Sequence, residues 1–494
     1  MSKFGNLLGF DPEKKQTNVR TEIIAGIVTF LAMAYILTVN PDQILGFNRA
    51  DPSWPAVFMA TAFGAIIGTL LMAIFAKMPL AQASGMGLNS MLGGLVGAGA
   101  LKTYGVQFTL GKAFAMVFIS GIIFLLLSLI KIKGKTFREA VFDGMPVSVR
   151  SAISVGIGLF IAFIGFQNAG VIVDNPFTLV DFVNFSTWSA AIAPAGVCLI
   201  GLILITVLDH LKVKGSVIIG ILGAAIIGIP LGVTDLSVIS GNGGISWAFW
   251  DNFAGFFGGE NSVFLSFGQG LTTLFTNGHI FTIIMVIITM CMIDMFDTMG
   301  TIVGCCGGNR ILSDENNKPH NYDKIMISDS VATCTGAMLG TSTVTTFVES
   351  GAGVSAGGRT GLTALTTAIM FFLAIFAMPL FAAIPGAATA SALIYVGVLM
   401  MKNNIKSIDV SNPINATSAF MTIVVMLLGY SITKGIGVGL ILYTVLHIVA
   451  YVVNVIKYAA NKEKNEKPVW NISVVAIVVT VLFCIYFFVP ATLF

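Results

Sequence analysis

Residues Gly340-Thr-Ser-Thr-Val-Thr-Thr-Phe-Val-Glu-Ser-Gly-Ala-Gly-Val-Ser-Ala-Gly-Gly358 lie between long apolar stretches and make a poor helix. The segment opens with hydroxyl and β-branched residues and then meets closely spaced glycines. An earlier segment, Pro79-Leu-Ala-Gln-Ala-Ser-Gly-Met-Gly-Leu-Asn-Ser90, is built the same way. Lipid offers no hydrogen bonds, so irregular backbone at membrane depth survives only inside protein or along a cavity. Paired interrupted segments in two halves of a chain are the best sequence pointer to a transporter's binding site. Glycines placed for close helix packing account for Gly64 and Gly68, but not for the Ser/Thr run 341–346.

The surroundings are those of a membrane protein. Of the 494 residues 56% are hydrophobic and 10% charged, against about 25% charged in soluble domains. That composition excludes a water-soluble enzyme and makes the lipid bilayer the main partner of the surface. A crossing helix needs about 20 apolar residues, and the apolar runs are continuous, which disfavours a β-barrel. Spans are predicted near 22–41, 55–76, 79–98, 113–131, 148–168, 189–208 and 215–233. A second series follows near 279–303, 325–339, 340–358, 361–383, 386–401, 415–430 and 435–456, with a last apolar stretch near 470–492. The fold class expected is therefore all-α and polytopic, with about 14 spans and short broken strands in spans 3 and 10.

Charge placement orients the chain. With a cytoplasmic N-terminus, only Arg49, Lys102, Lys112 and Lys434 of the 26 Lys and Arg fall outside. That asymmetry is what the positive-inside rule demands. No Lys or Arg occurs between Lys214 and Arg310, so the polar loop 234–277 is expected outside. The basic residues are membrane flanks, not a stripe, so nucleic acid is not a partner. The six cysteines lie in or beside apolar segments without a CxxC, and the four histidines are scattered. A metal site and a bound cofactor have no support.

Seven spans followed by seven imply an inverted repeat, because an odd number turns the second half over. Ser84-Gly-Met-Gly87 recurs as Ser350-Gly-Ala-Gly353, and the same offset pairs Phe30 and Met33 with Phe296 and Met299.

Most acids lie in loops or at span ends, but Asp294, Asp297 and Glu349 sit inside spans 8 and 10 with no Lys or Arg in the same spans. Each costs roughly 2.5–3.5 kcal/mol at membrane depth, which marks a functional site. Asp294 and Asp297 are three apart and share a helix face. Either could instead cap a half-helix. Asn89 supplies a neutral donor and acceptor just after the span 3 glycines, while Asp329 reads as a residue at a cytoplasmic helix end.

At these residues the chain resembles the AzgA-like purine permeases, a branch of the nucleobase–cation symporter 2 family. The likeness is carried by Thr21-Glu22, Ala25-Gly26, Thr29-Phe-Leu-Ala-Met-Ala-Tyr-Ile-Leu-Thr-Val-Asn-Pro41, Gly85-Met-Gly-Leu-Asn89 and Phe296-Asp-Thr-Met-Gly-Thr301. Leu339-Gly-Thr-Ser-Thr-Val-Thr-Thr-Phe-Val-Glu-Ser350 and Ala356-Gly-Gly-Arg-Thr-Gly-Leu-Thr363 complete it. The resemblance implies a secondary active transporter, not an enzyme, that imports adenine, guanine or hypoxanthine with H+ through an elevator-like movement, as a multi-pass cell-membrane homodimer. It implies two inverted seven-helix repeats: a cytoplasmic segment 1–21, core halves 22–131 and 278–384, gate halves 132–233 and 385–457, an extracytoplasmic loop 234–277, and a basic linker with a C-terminal hydrophobic segment 458–494.

Carried over residue by residue, Asp294 and Glu349 would contact the purine, and Asp297 with Asp294 would couple the proton. Gly87, Asn89, Thr346, Phe347 and Ser350 complete the implied binding set, with Phe347 or Phe30 available for stacking on the ring. The sequence departs from the family where Ser84 replaces the usual Pro and Ser90 the usual Ala, next to the implied site. An anion transporter of the same fold is the rival reading. Three buried acids without a cation argue against it, since like charges repel in a low-dielectric site.

Overall fold

The computed structural model describes residues 3–97, 106–132, 135–136, 144–187, 189–240, 247, 249–276, 279–306, 309–313, 319–460, 467–470 and 472–488. Lys102, which enters the charge pattern above, and residues 461–466 of the basic linker lie outside the described residues.

Among the described residues sixteen helices organise the fold, and other short ones are given by residue range. They are α1 (Val19–Met33), α2 (Ile36–Ile44), α3 (Trp54–Leu71), α4 (Met86–Val96), α5 (Leu110–Leu129), α6 (Val147–Asn168), α7 (Ala193–His210) and α8 (Ser216–Gly228). The second series is α9 (Ile280–Cys306), α10 (Tyr322–Leu339), α11 (Ser350–Ser355), α12 (Gly361–Ile375), α13 (Gly386–Asn404), α14 (Pro413–Leu428), α15 (Ile432–Ala460) and α16 (Val474–Phe488). Among the described residues seven helices are long and apolar enough to cross a membrane. Lipid-type exposure runs along α15, where Val445, Val449, Val452 and Ile456 all face outward.

Local chemistry sets the ends. Asn18 caps α1 by accepting from the Thr21 N–H at 2.9 Å, and Asn412 caps α14, whose first residue is Pro413, a position where the missing N–H costs nothing. Helix α10 stops at Gly340, which has φ +92° and stands so close to Val263 that a Cβ would meet it at 2.5 Å. Only glycine satisfies both conditions.

The two interrupted segments are each a strand followed by a helix. Strand β1 (Gln82–Ser84) precedes α4, and strand β2 (Val344–Thr346) precedes α11. They pair antiparallel, Gln82 with Thr346, Ala83 with Thr345 and Ser84 with Val344. The halves of the chain thus meet strand to strand, satisfying backbone groups that neither segment could satisfy alone.

Two groups of helices pack around this pair. In one, α5 lies on α10, α3 on α10 and α12, and α1 on α11 and α12; in the other, α6 lies on α13 and α14, α7 on α8 and α13, and α14 on α15. They touch where α6 reaches α4 and α9. The segment expected as a polar loop, 234–277, differs from that expectation: it holds helices Phe249–Gly258 and Ser266–Thr273. Phe253, Phe256 and Phe257 of the first stack around Phe63 of α3, so aromatic residues seat the loop on the bundle. Helix α16 packs on α15, joined by a 2.8 Å Thr444–Thr480 hydroxyl bond.

Adjacent glycines in α4 make a test of this packing. A Cβ on Gly93 would stand 2.1 Å from the Gln43 carbonyl oxygen, whereas one on Gly94 meets nothing within 4 Å. Gly93→Ala is expected to cost about 1–3 kcal/mol through overpacking, and Gly94→Ala to gain about 0.5–1 kcal/mol of helix propensity. Thermal unfolding of the two purified variants checks the difference; equal midpoints would contradict the α2–α4 contact.

Candidate functional site

Where the strand pair meets the second helix group there is a small cavity of about 40 Å³. Gly87, Thr346, Phe347, Glu349 and Asp297 line it from the strand side, together with Thr301, and Ile157, Ile161, Val396 and Met400 close it from α6 and α13. Both acids therefore face one cavity from two different helices, α9 and the start of α11. The carboxylate of Glu349 accepts a 2.6 Å hydrogen bond from the Tyr35 hydroxyl. Tyr35 is 1% exposed and, with Ala34, forms the two-residue turn between α1 and α2.

Four residues expected here lie elsewhere. Asp294 does not line the cavity; it is buried behind the strands, where it accepts from the Thr333 hydroxyl at 3.3 Å. Asn89 accepts from the Ser342 hydroxyl and its amide reaches the Ser84 carbonyl at 3.5 Å, so it ties the start of α4 to the segment before β2. Ser350 accepts from the Ala81 N–H at 3.0 Å. Phe30 packs edge-on against Phe371, with centroids 5.1 Å apart, inside the helix bundle. These four brace the frame around the cavity.

Asp329 is likewise not at a helix end. It is 0% exposed and accepts two bonds of 3.0 Å from the Thr298 hydroxyl and one of 3.2 Å from the Gln82 amide. A polar layer thus runs behind the strands: Thr298 meets Thr345 at 2.5 Å, Ser84 meets Thr341 at 2.7 Å, and Asn40 donates to Thr61 and Thr341 at 2.6 and 2.7 Å. This is why the run 341–346 is rich in hydroxyls. Thr341, Ser342, Thr345 and Thr346 each satisfy a buried polar neighbour that lipid could not.

Sequence reasoning missed Tyr35 and the α6 and α13 wall. A lone phenol within an otherwise apolar stretch was the only available signal for Tyr35; Ile157, Ile161, Val396 and Met400 carry none. It also missed a cluster at one end of the interface between the helix groups. There Asp42 accepts from Arg49, from the Trp54 ring N–H at 3.0 Å and from the Thr389 hydroxyl of α13 at 3.3 Å.

On the opposite side the small cavity adjoins a larger one of about 650 Å³, which Val348 and Glu349 also line. Lys212, Lys214 and Lys402 stand in its wall with Asp209. Glu349 is thus at the boundary between a small pocket and a wide vestibule.

A polytopic bundle with paired broken segments, carboxylates at their junction and a vestibule leading to them defines a membrane permease, not an enzyme. The chain belongs to the family described as the permease family (Xan_ur_permease), whose match covers residues 20–438. The adenine permease AdeP of Escherichia coli is 36% identical over 433 residues, 87% of this chain and 88% of that protein. The guanine/hypoxanthine permease PbuO of Bacillus subtilis is 36% identical over 443 residues, 88% and 93% of the two chains. With the nucleobase transporter PlAzg2 of Paenibacillus larvae also similar, at 29% identity, the likeness to the AzgA-like purine permeases holds. Among solved structures, the transmembrane domain of the cyanobacterial bicarbonate transporter BicA matches with a TM-score of 0.56 at 14% identity, covering 85% of this chain and 97% of that one. That match shows a shared fold.

Proposed function

We propose that this permease imports purine nucleobases, adenine, guanine or hypoxanthine, together with protons. The observation that carries the reading is the convergence of Glu349 and Asp297 on one cavity between the two helix groups. A purine presents ring N–H groups and acceptors along a planar edge; a carboxylate accepts from the former, and the hydroxyls of Thr301 and Thr346 serve the latter. Phe347 offers a ring face. In this reading Glu349 and Asp297 hold the base, and Asp294, expected from the resemblance to touch it, acts through the Thr333 bond as a brace. Relatives named as adenine and guanine/hypoxanthine permeases support the substrate class.

The group holding the strand pair is the moving core and the α6–α8 and α13–α15 group the gate, with the division near residues 131, 233, 278, 384 and 457. The fourteen-span topology, cytoplasmic N-terminus, cell-membrane location and homodimer belong to the same proposal. The lysine-lined vestibule is then cytoplasmic. At about 40 Å³ the central cavity holds water but is far below the ~300–1,000 Å³ of drug-sized ligand pockets. Admission of a base therefore requires the core to move against the gate, which is the elevator step. The two acids supply a proton-binding pair, since neighbouring carboxylates do not readily ionise together.

Uptake of labelled hypoxanthine by cells expressing the chain tests the reading. Unlabelled purines are expected to compete, sulfate and bicarbonate not to, and a protonophore to abolish accumulation where a Na+ ionophore does not. Competition by the anions alone would favour the anion-transport reading; survival in protonophore with loss under the Na+ ionophore would overturn proton coupling.

A further inference from the structure

A second cavity, of about 240 Å³, opens between α4 and α6 on the side away from the lysines. It lies along the same two helices as the central site. Gly87 and Ile157 line the central cavity, and Gly94 and Phe160 line this one. On α4 the seven residues from Gly87 to Gly94 amount to about 10 Å of helix.

The walls are specific. Phe160 and Tyr430 meet edge to face, with centroids 5.3 Å apart, and Phe47 stands in the same cavity. Gly94 leaves open space where a side chain would begin, giving a flat floor. Gln43, 2% exposed, also lines this aromatic chamber. Its amide nitrogen donates to the Ser90 hydroxyl at 2.9 Å, which fixes the other end of the amide as acceptor. That carbonyl oxygen is buried and has no hydrogen-bond partner. A buried unpaired acceptor costs about 1–3 kcal/mol, and a ligand N–H would relieve it. No charged residue lines the cavity, so it suits a neutral ligand. A cavity of about 150 Å³ accommodates benzene, so this one has room for a bicyclic ring.

We propose that this cavity is a second binding site, an outer waiting site, for a neutral planar heteroaromatic base bearing a ring N–H. Gln43 Oε1 accepts from that N–H and the Phe160–Tyr430 pair holds the ring face, before the base passes along α4 to Glu349. The inference rests on the proposed purine transport and adds a site to it. A phosphorylated or otherwise charged purine is excluded by the absence of a counter-charge.

Equilibrium binding of radiolabelled hypoxanthine to the purified full chain tests it, with Glu349→Gln used to silence the central site. Glu349→Gln protein is expected to retain weak saturable binding of one base per chain. Adding Tyr430→Ala or Gln43→Leu should weaken that binding at least tenfold, with monodispersity and thermal midpoint confirming the fold. In the otherwise unaltered chain, Tyr430→Ala should raise the KM for uptake from outside about tenfold with little change in maximal rate. Absence of any binding in folded Glu349→Gln protein, or binding indifferent to both further changes, would overturn the outer site while leaving wild-type uptake, and so the transport reading, intact. A wild-type chain that neither binds nor carries purines would overturn both.

Discussion

Glu349→Gln is expected to abolish purine accumulation, a loss of a hundredfold or more in uptake rate, while the protein still reaches the membrane in normal amount. The substitution keeps shape and hydrogen-bonding reach but removes the anionic acceptor. Tyr35 donates to this carboxylate at 2.6 Å, and a glutamine oxygen can still receive that bond, so the local frame survives. On the proposed reading, what disappears is the charge-assisted acceptor for a ring N–H and the group that exchanges a proton, and such bonds are roughly twice as strong as neutral ones. Asp297→Asn should act in the same direction, because it lines the same cavity. Asp294→Asn should instead reduce stability more than apparent affinity. Whole-cell uptake with parallel quantification of membrane protein separates these effects. Near-normal uptake by Glu349→Gln would remove Glu349 from the site.

The second large effect concerns Glu22, far from the cavity. This carboxylate is 0% exposed. It accepts from the backbone N–H groups of Arg359, Thr360 and Thr363 at 3.0, 3.3 and 3.2 Å and from the Thr363 hydroxyl at 2.5 Å. It therefore caps α12 from another helix, gathering donors that the helix cannot pair internally and placing negative charge at the positive end of its dipole. Glu22→Ala leaves several buried donors unpaired and is expected to cost on the order of 3 kcal/mol or more. The measurement is the thermal midpoint and yield of monodisperse protein. Glu22→Gln should fall between, since its oxygen still accepts while its NH2 confronts other donors. An alanine variant as stable as the parent would show that the cap contributes nothing.

The broad architecture was legible because a membrane is an unforgiving solvent. Hydroxyls and glycines in 340–358 could not be lipid-facing helix, and acids in spans 8 and 10 had to face protein, so two broken strands and a buried Glu349 followed, but not that the strands pair with each other. The division of labour between Asp294 and Asp297 was not legible. Three residues along a helix differ by about 60° in direction at 3.6 residues per turn. That is enough to turn Asp297 into the cavity and Asp294 towards Thr333, and nothing in the local sequence says which. Asp329 was misplaced because α10 begins at Tyr322 with polar residues that resemble a loop. Seven residues of helix then carry Asp329 about 10 Å inward. The α6 and α13 wall is plain Ile, Val and Met, whose importance comes only from what faces them.

The antiparallel pairing of Gln82–Ser84 with Val344–Thr346 also dictates an order of events during synthesis. The ribosome delivers the first strand long before its partner, and in the interval its backbone groups have no ladder to join. Until residue 346 has entered the membrane, the early broken segment must be sheltered by the insertion machinery or by water. A chain interrupted anywhere between the two strands carries an unmet hydrogen-bonding demand at membrane depth, and so should be a substrate for membrane quality control and not a half-built carrier. The tie between the halves works as a completion check on the newborn protein.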